Sequence, residues 1–203
     1  MSYSLFVDSS EYLTIGLLDK DLNWAEFKTY KNKKSSGVFH GLLEEILTKY
    51  ELDLFKLERV FYCAGPGSYT GVRLVEGFAQ ILRWKKIKTN SFYFFDVPKF
   101  LNYKKGQWIS EAHKGEFFVY SWDEKKSESN LVAKSEFKLQ EEVVFTISSS
   151  IEIIPKSLST LKLIEDNPVE LFSKIIEDDL SETPYYYREI DKEFTKPRQV
   201  KGL

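Results

Sequence analysis

Val60-Phe61-Tyr62-Cys63-Ala64 runs straight into Gly65-Pro66-Gly67-Ser68-Tyr69-Thr70-Gly71, and a mostly apolar segment continues to Trp84. The first five residues have the length and composition of a buried strand. The chain has ten glycines in 203 residues, and three fall between positions 65 and 71. Glycine concentrates where the backbone needs a positive φ or a close approach. Pro66 fixes φ between two of them, and Ser68 or Thr70 is placed to cap a following helix. The segment therefore reads as a stiff strand-to-helix elbow, with Arg73 just inside the helix. Such an elbow aims backbone N–H groups at one point, which suits an anion. Three phosphate or nucleophile motifs nevertheless fail here. No lysine follows Gly71 as a P-loop requires, and Thr70 stands where a dinucleotide fold needs its third glycine. Pro66 and Thr70 replace the glycines that flank a nucleophilic serine. A structural elbow is the favoured reading.

The helix after the elbow is unusually apolar around its circumference. At about 100° per residue, Val72, Ala79, Val75, Leu82, Gly71, Phe78, Leu74, Ile81, Gly77 and Trp84 cover an arc of roughly 240°. A helix lying on a sheet needs a stripe of ~100° or somewhat more. Only Arg73, Glu76, Gln80 and Arg83 fill the remainder. The surplus is covered either by another element of this chain or by a partner protein. Gly77 favours close helix–helix approach, because it lets two backbones meet, and both readings stay open.

Upstream, residues 3–7, 13–18 and 24–30 read as three strands separated by the turns Asp8-Ser9-Ser10 and Asp19-Lys20-Asp21. Phe39, Leu42, Leu43, Ile46, Leu47 and Tyr50 then follow helical spacing, with Ser35 or Ser36 as cap. Downstream, residues 87–89 read as a short strand, and 91–103 as a helix kinked or broken at Pro98. Residues 108–111 and 116–122 pair around a His113-Lys114-Gly115 turn. Further strands are expected near 131–137 and 143–146, and a helix over 169–176. A boundary near Lys104-Lys105-Gly106 divides the chain into residues 1–104 and 105–203.

Composition is that of a globular protein, with 42% hydrophobic and 30% charged residues. The formal net charge of −2 is too small for a dedicated nucleic-acid coat. One cysteine, Cys63, excludes a disulfide framework or a cysteine-rich metal site, and reads as inert core. No apolar run reaches the ~20 residues of a membrane span, and the N-terminus lacks a signal-peptide pattern. A cytoplasmic protein is expected. No metal site is expected: His40 and Glu44 share a helix face at i, i+4, but a surface histidine is favoured, and His113 reads as a turn residue. The tail residues Lys196, Arg198 and Lys201 could contact phosphates, although a solvated terminus is favoured. Tyr185-Tyr186-Tyr187 could stack on bases, although packing onto a lobe is favoured.

Gly65-Pro66-Gly67-Ser68-Tyr69-Thr70-Gly71-Val72-Arg73, with Gly77-Phe78-Ala79-Gln80 after it, closely resembles the signature of the TsaB (YeaZ) family. Asp8-Ser9-Ser10 resembles that family's opening Asp-Thr-Ser/Ala. Ala112-His113-Lys114-Gly115-Glu116-Phe117 resembles its central segment, and Pro184-Tyr185-Tyr186-Tyr187-Arg188 its C-terminal Pro-x-Tyr-Leu-Arg. The four landmarks stand in family order. The resemblance implies an actin-like, two-lobed α/β fold. Its N-terminal lobe, residues 1–104, has the order β-β-β-α-β-α, and the C-terminal lobe is smaller and carries the basic tail.

The resemblance also implies a non-catalytic scaffold subunit that dimerises with the catalytic paralogue TsaD. With the ATPase TsaE, that complex transfers a threonylcarbamoyl group to the adenosine beside the anticodon of tRNA. The interface maps to Phe39, Leu42, Leu43 and Ile46 on one helix, and to Thr70, Gly71, Leu74, Gly77, Phe78, Ile81 and Trp84 on the other. ATP and metal are expected on the partner, with no cofactor on this chain and only indirect contact with tRNA. Homodimerisation through the same helices is a further expectation. The chain departs from the family pattern at Val75 and Ile81, usually small, and at Glu76, usually apolar. Glu111, His113, Tyr186 and Tyr187 also differ.

An actin-like ATPase needs a glycine turn and a carboxylate in each lobe, to approach phosphate and hold hydrated Mg²⁺. Asp8-Ser9-Ser10 lacks the glycine, and after Gly77 only Gly106, Gly115 and Gly202 remain. No catalytic residue is therefore assigned, and Asp8 is kept as a candidate contact to a shared nucleotide. The alternative is an independent actin-like ATPase or kinase, which rests on fold analogy. A peptidase has no Ser/His/Asp set or zinc spacing behind it.

Overall fold

The computed structural model describes residues 2–31, 35–112, 115–139, 143–147, 154 and 156–187. His113 and Lys114, Arg188 and the basic tail lie outside the described residues. Strands β1 (Ser4–Asp8), β2 (Leu13–Leu18) and β3 (Trp24–Tyr30) form an antiparallel meander. After helix α1 (Ser35–Lys49), β4 (Arg59–Cys63) joins the other side of β1 in parallel, and after α2 (Tyr69–Trp84), β5 (Lys88–Phe92) extends the sheet in the same sense. The order is β3-β2-β1-β4-β5.

Alternation along the strands decides which layer covers each face. Leu5 and Val7 of β1, Val60 and Tyr62 of β4, and Leu13, Ile15 and Leu17 of β2 pack against Phe39, Leu43 and Ile46 of α1 and Val75, Phe78, Ala79 and Leu82 of α2. Phe6, Phe61, Cys63 and Phe92 point the other way, into a second core.

That second core is shared with the rest of the chain. Strands β6 (Gly106–Ala112), β7 (Glu116–Trp122), β8 (Ser127–Ala133), β9 (Val144–Thr146) and β10 (Leu158–Ser159) form a sheet ordered β10-β9-β6-β7-β8. Trp108, Phe118, Tyr120 and Phe145 of this sheet meet Phe6, Phe61 and Phe92 of the first in one buried cluster. Helices α4 (Thr160–Asp166) and α5 (Pro168–Glu177) follow. The Phe172 ring of α5 lies 4.5 Å from Phe61 and 5.7 Å from Phe6. The two sheets thus come from residues on either side of Lys104-Lys105, but α5 returns to pack beneath the first.

Several sequence expectations need correction. Residues 91–103 are not one helix: Ser91 and Phe92 pair with Tyr62 and Cys63 as the end of β5. The helix there is only α3 (Val97–Phe100), and Pro98 sits in its first turn, where its missing N–H costs nothing. It starts that helix rather than breaking it. The strand expected near 131–137 is β8, set earlier by a tight turn in which Asp123 accepts from the Lys125 and Lys126 amides at 2.7 and 2.9 Å. Its first four residues, Ser127-Glu128-Ser129-Asn130, are exposed on a sheet edge, so they carry no apolar pattern. Helix α4 and strand β10 were not expected.

Candidate functional site

The elbow is held by the first turn of the chain. Gly65 takes φ +105°, and a Cβ there would lie 2.7 Å from the Tyr185 carbonyl oxygen. Side chains at Gly67 and Gly71 would collide with Ser10 and Ser9. The Ser68 amide donates to the Ser10 carbonyl at 2.6 Å, and Ser68 Oγ caps α2 by accepting from the Gly71 amide at 3.4 Å. Gly67 and Gly71 let the Ser9-Ser10 turn sit directly on the nose of α2. That corrects the anion-cradle alternative, because the chain's own backbone occupies the place an anion would take.

Asp8, at the end of β1, is 1% exposed. Its Oδ1 accepts from the Ser10 amide at 3.0 Å. Burial disfavours the charged form and lifts its pKa to about 7, against hydrogen bonds from Ser10 that pull it down. The carboxyl is closed off from solvent and turned onto this chain's own Ser9-Ser10 turn. Among the described residues, no group of three or more His, Cys, Asp or Glu side chains could hold a metal ion. No described helix is long and apolar enough to cross a membrane. Burial, and secondly the neighbouring Asp8, push the Cys63 thiol well above its ordinary pKa, which fits an inert core cysteine. His40 and Glu44 are exposed, and His40 packs on Phe39 at 5.1 Å.

The tyrosine run ties the C-terminal segment to both sheets. Tyr185 lies 5.4 Å from Tyr93 and from Phe95, and 5.6 Å from Phe118. The Tyr187 hydroxyl is 2.6 Å from Ser110 Oγ. Tyr186 packs at a tilt on Tyr69 at 5.0 Å, beside Arg73, which donates to the Tyr69 hydroxyl at 2.5 Å. These rings are used in packing.

The residues read as a partner face separate into two groups. Phe39, Leu43, Ile46, Gly71 and Phe78 are buried in this chain's own core and present no surface to a partner. That is the correction to the helical wheel, since α1 takes up part of the surplus arc of α2 through a Phe39–Phe78 edge contact at 5.0 Å. Leu42, Leu74 and Gly77 are half-buried, and Thr70 is exposed. Ile81 is 50% and Trp84 80% exposed. Thr70, Leu74, Gly77, Ile81 and Trp84 recur at steps of four and three, so they line one seam of α2. An added methyl at Gly77 would meet nothing within 4 Å. The same holds for Gly37 and Gly41 on the exposed side of α1, which the sequence reading missed. Their signal was two glycines four apart inside a helical pattern.

No family model matches the chain. The tRNA threonylcarbamoyladenosine biosynthesis protein TsaB of Bacillus subtilis (strain 168) is 36% identical over 81 residues, 39% of this chain and 35% of that protein. YeaZ from Pseudomonas aeruginosa superposes with a TM-score of 0.58 at 14% identity, covering 87% of this chain and 92% of that one. The chain is thus similar to TsaB over those 81 residues and shares its fold with YeaZ. A second Pseudomonas aeruginosa structure, described as an uncharacterized protein with similarity to peptidase YeaZ, also superposes at 0.58 with 14% identity, over 93% and 100% of the two chains. The sequence match spans about a third of the TsaB relative's length, and at 14% identity the likeness to the solved structures shows a shared fold alone. That fold is an α/β arrangement of two five-stranded sheets.

Proposed function

We propose that this chain is a scaffold subunit that docks the exposed seam of α2 onto a TsaD-like catalytic paralogue and orders it for threonylcarbamoyl transfer to the adenosine beside the tRNA anticodon. The observation that carries the reading is Gly77. A glycine inside a helix costs roughly 1 kcal/mol against alanine, and no atom of this chain needs the space. Close approach of a second backbone explains it. Exposed Ile81 and Trp84 flank it, and Gly37 and Gly41 leave similar room on α1. The tRNA threonylcarbamoyladenosine biosynthesis role named for the TsaB relative supports the tRNA-modification context. ATP and metal are assigned to the partner. The burial of Asp8 supports that division, as does the Ser9-Ser10 turn over the nose of α2.

Co-expression with the paralogue from the same genome and size-exclusion chromatography test the proposal. Gly77→Arg should abolish a complex that the unaltered chain forms, while the variant keeps its circular dichroism spectrum. A complex that survives the arginine would remove the seam as the interface. Self-association through the same seam would instead give a homodimer that the paralogue displaces.

A further inference from the structure

The C-terminal end of α2 carries a second surface that adjoins the seam and shares Trp84 with it. Arg83-Trp84-Lys85-Lys86-Ile87-Lys88 closes the helix and opens β5, and a short 3-10 turn, Leu54–Lys56, lies beside it. Lys56, Lys85, Lys86 and Lys88 are all exposed. None of them forms a salt bridge with a described residue. Arg83, by contrast, is tied to Glu76 and Tyr62. Trp84 is 80% and Phe55 53% exposed, and the Lys85 ammonium stands 5.4 Å from the centre of the Phe55 ring. Two of the three acids on the neighbouring segment are engaged: Asp53 caps the 3-10 turn by accepting from the Phe55 amide at 2.9 Å, and Glu58 accepts from Ser2 at 2.5 Å, while Glu51 is exposed.

Simpler causes account for part of this. A lysine at a helix C-terminus complements the helix dipole, and a lysine on an edge strand discourages strand pairing. Neither explains two large exposed rings among four unpaired cations. Protein interfaces are depleted in lysine. Surfaces that hold single-stranded nucleic acid combine lysines along the phosphates with rings on which bases stack.

We infer that this end of the molecule binds a single-stranded nucleic acid, its phosphates on Lys56, Lys85, Lys86 and Lys88 and its bases on Trp84 and Phe55. The charge argument is local and stands beside a net charge of −2. It does not depend on the paralogue.

Lys86 supplies a discriminating variant. It holds φ +63° just past the helix, where glycine is the unstrained residue. Glu51, Asn102 and Asp179 take the same conformation, so this strain is a habit of the chain and not itself the argument. Lys86→Gly removes a cation and relieves strain together, so it should stabilise the fold while weakening binding.

The experiment is fluorescence anisotropy of labelled oligouridylate, and of the matching DNA, with the full chain. Four backbone contacts on a single strand predict a loss of about 50-fold in affinity between 50 and 200 mM salt. Lys86→Gly should raise the melting temperature and reduce the slope of log affinity against log salt by about 0.7. Trp84→Ala should cost roughly 5- to 150-fold. Gly77→Arg should leave binding by the isolated chain unchanged, which distinguishes a failure of the paralogue interface from a failure of this site although Trp84 belongs to both. Tighter binding of RNA than DNA would name RNA as the occupant; equal binding would leave the shared backbone chemistry as the ligand. The inference is overturned if no binding occurs at 50 mM salt, or if a Lys85→Glu/Lys88→Glu variant binds as well as the parent. Equal competition by polyglutamate would overturn it too, and would assign the patch to an acidic protein.

Discussion

Asp8 shows how one buried group shapes a pH profile. Its pKa rises from 3.8 to about 7 on folding, because burial penalises the carboxylate. The native state therefore holds a proton that the unfolded chain releases between about pH 4 and 7, and this group's contribution to stability falls as pH rises through that window. A shift of this size corresponds to a loss on the order of 4 kcal/mol, complete above pH 7. Asp8→Asn should remove the slope: relative to the parent it should gain stability at pH 8, with the gain shrinking toward pH 4.5. Urea unfolding at both values measures it, and an equal difference at the two would disprove the burial account. Nothing in Asp8-Ser9-Ser10 as a string foretold this. The burial comes from Gly67 and Gly71, about sixty residues on, which admit the turn onto the nose of α2.

At the scale of elements, α2 and α5 place opposite demands on their residues. Phe172 on α5 meets Phe6, Trp24, Phe61 and Phe92, so Phe172→Ala should cost about 3–5 kcal/mol by urea titration. Gly77→Ala on α2 should do the reverse for the isolated chain, raising stability by about 0.5–1 kcal/mol, while weakening the complex. A methyl that improved both would argue against close backbone approach. The elements most legible from sequence were those with one buried face or a glycine-proline boundary: the first three strands, α1, β4, the elbow and α2. The wheel correctly showed that α2 has surplus apolar girth. It could not show that Phe78 is spent on Phe39 while Ile81 and Trp84 remain in water, because both groups look alike in periodicity. Edge strand β8 was misplaced because a strand half in water needs no apolar alternation.

Across the whole molecule, the C-terminal segment acts as a tie. The Ser91 amide donates to the Leu180 carbonyl at 3.2 Å, Ser91 Oγ to the Glu182 carbonyl at 2.7 Å and the Tyr185 amide to the Ala64 carbonyl at 2.8 Å. Tyr185 and Tyr187 then reach Phe118 and Ser110 of the second sheet. Truncation after Leu180 should raise hydrogen exchange in β5 and at Phe118 while leaving the β1–β2 hairpin protected; unchanged exchange in β5 would show that the tie is dispensable. What the amino-acid order determined by itself was local: the elbow, the order of strands and helices in the first half, and the family landmarks, because glycine, proline and apolar spacing act within a few residues. Which faces stay exposed, the closure of Asp8 and the sharing of one core by both sheets were decided only in three dimensions. Those depend on residues about forty to a hundred and seventy positions apart competing for the same volume, and no window along the chain contains both sides of that contest.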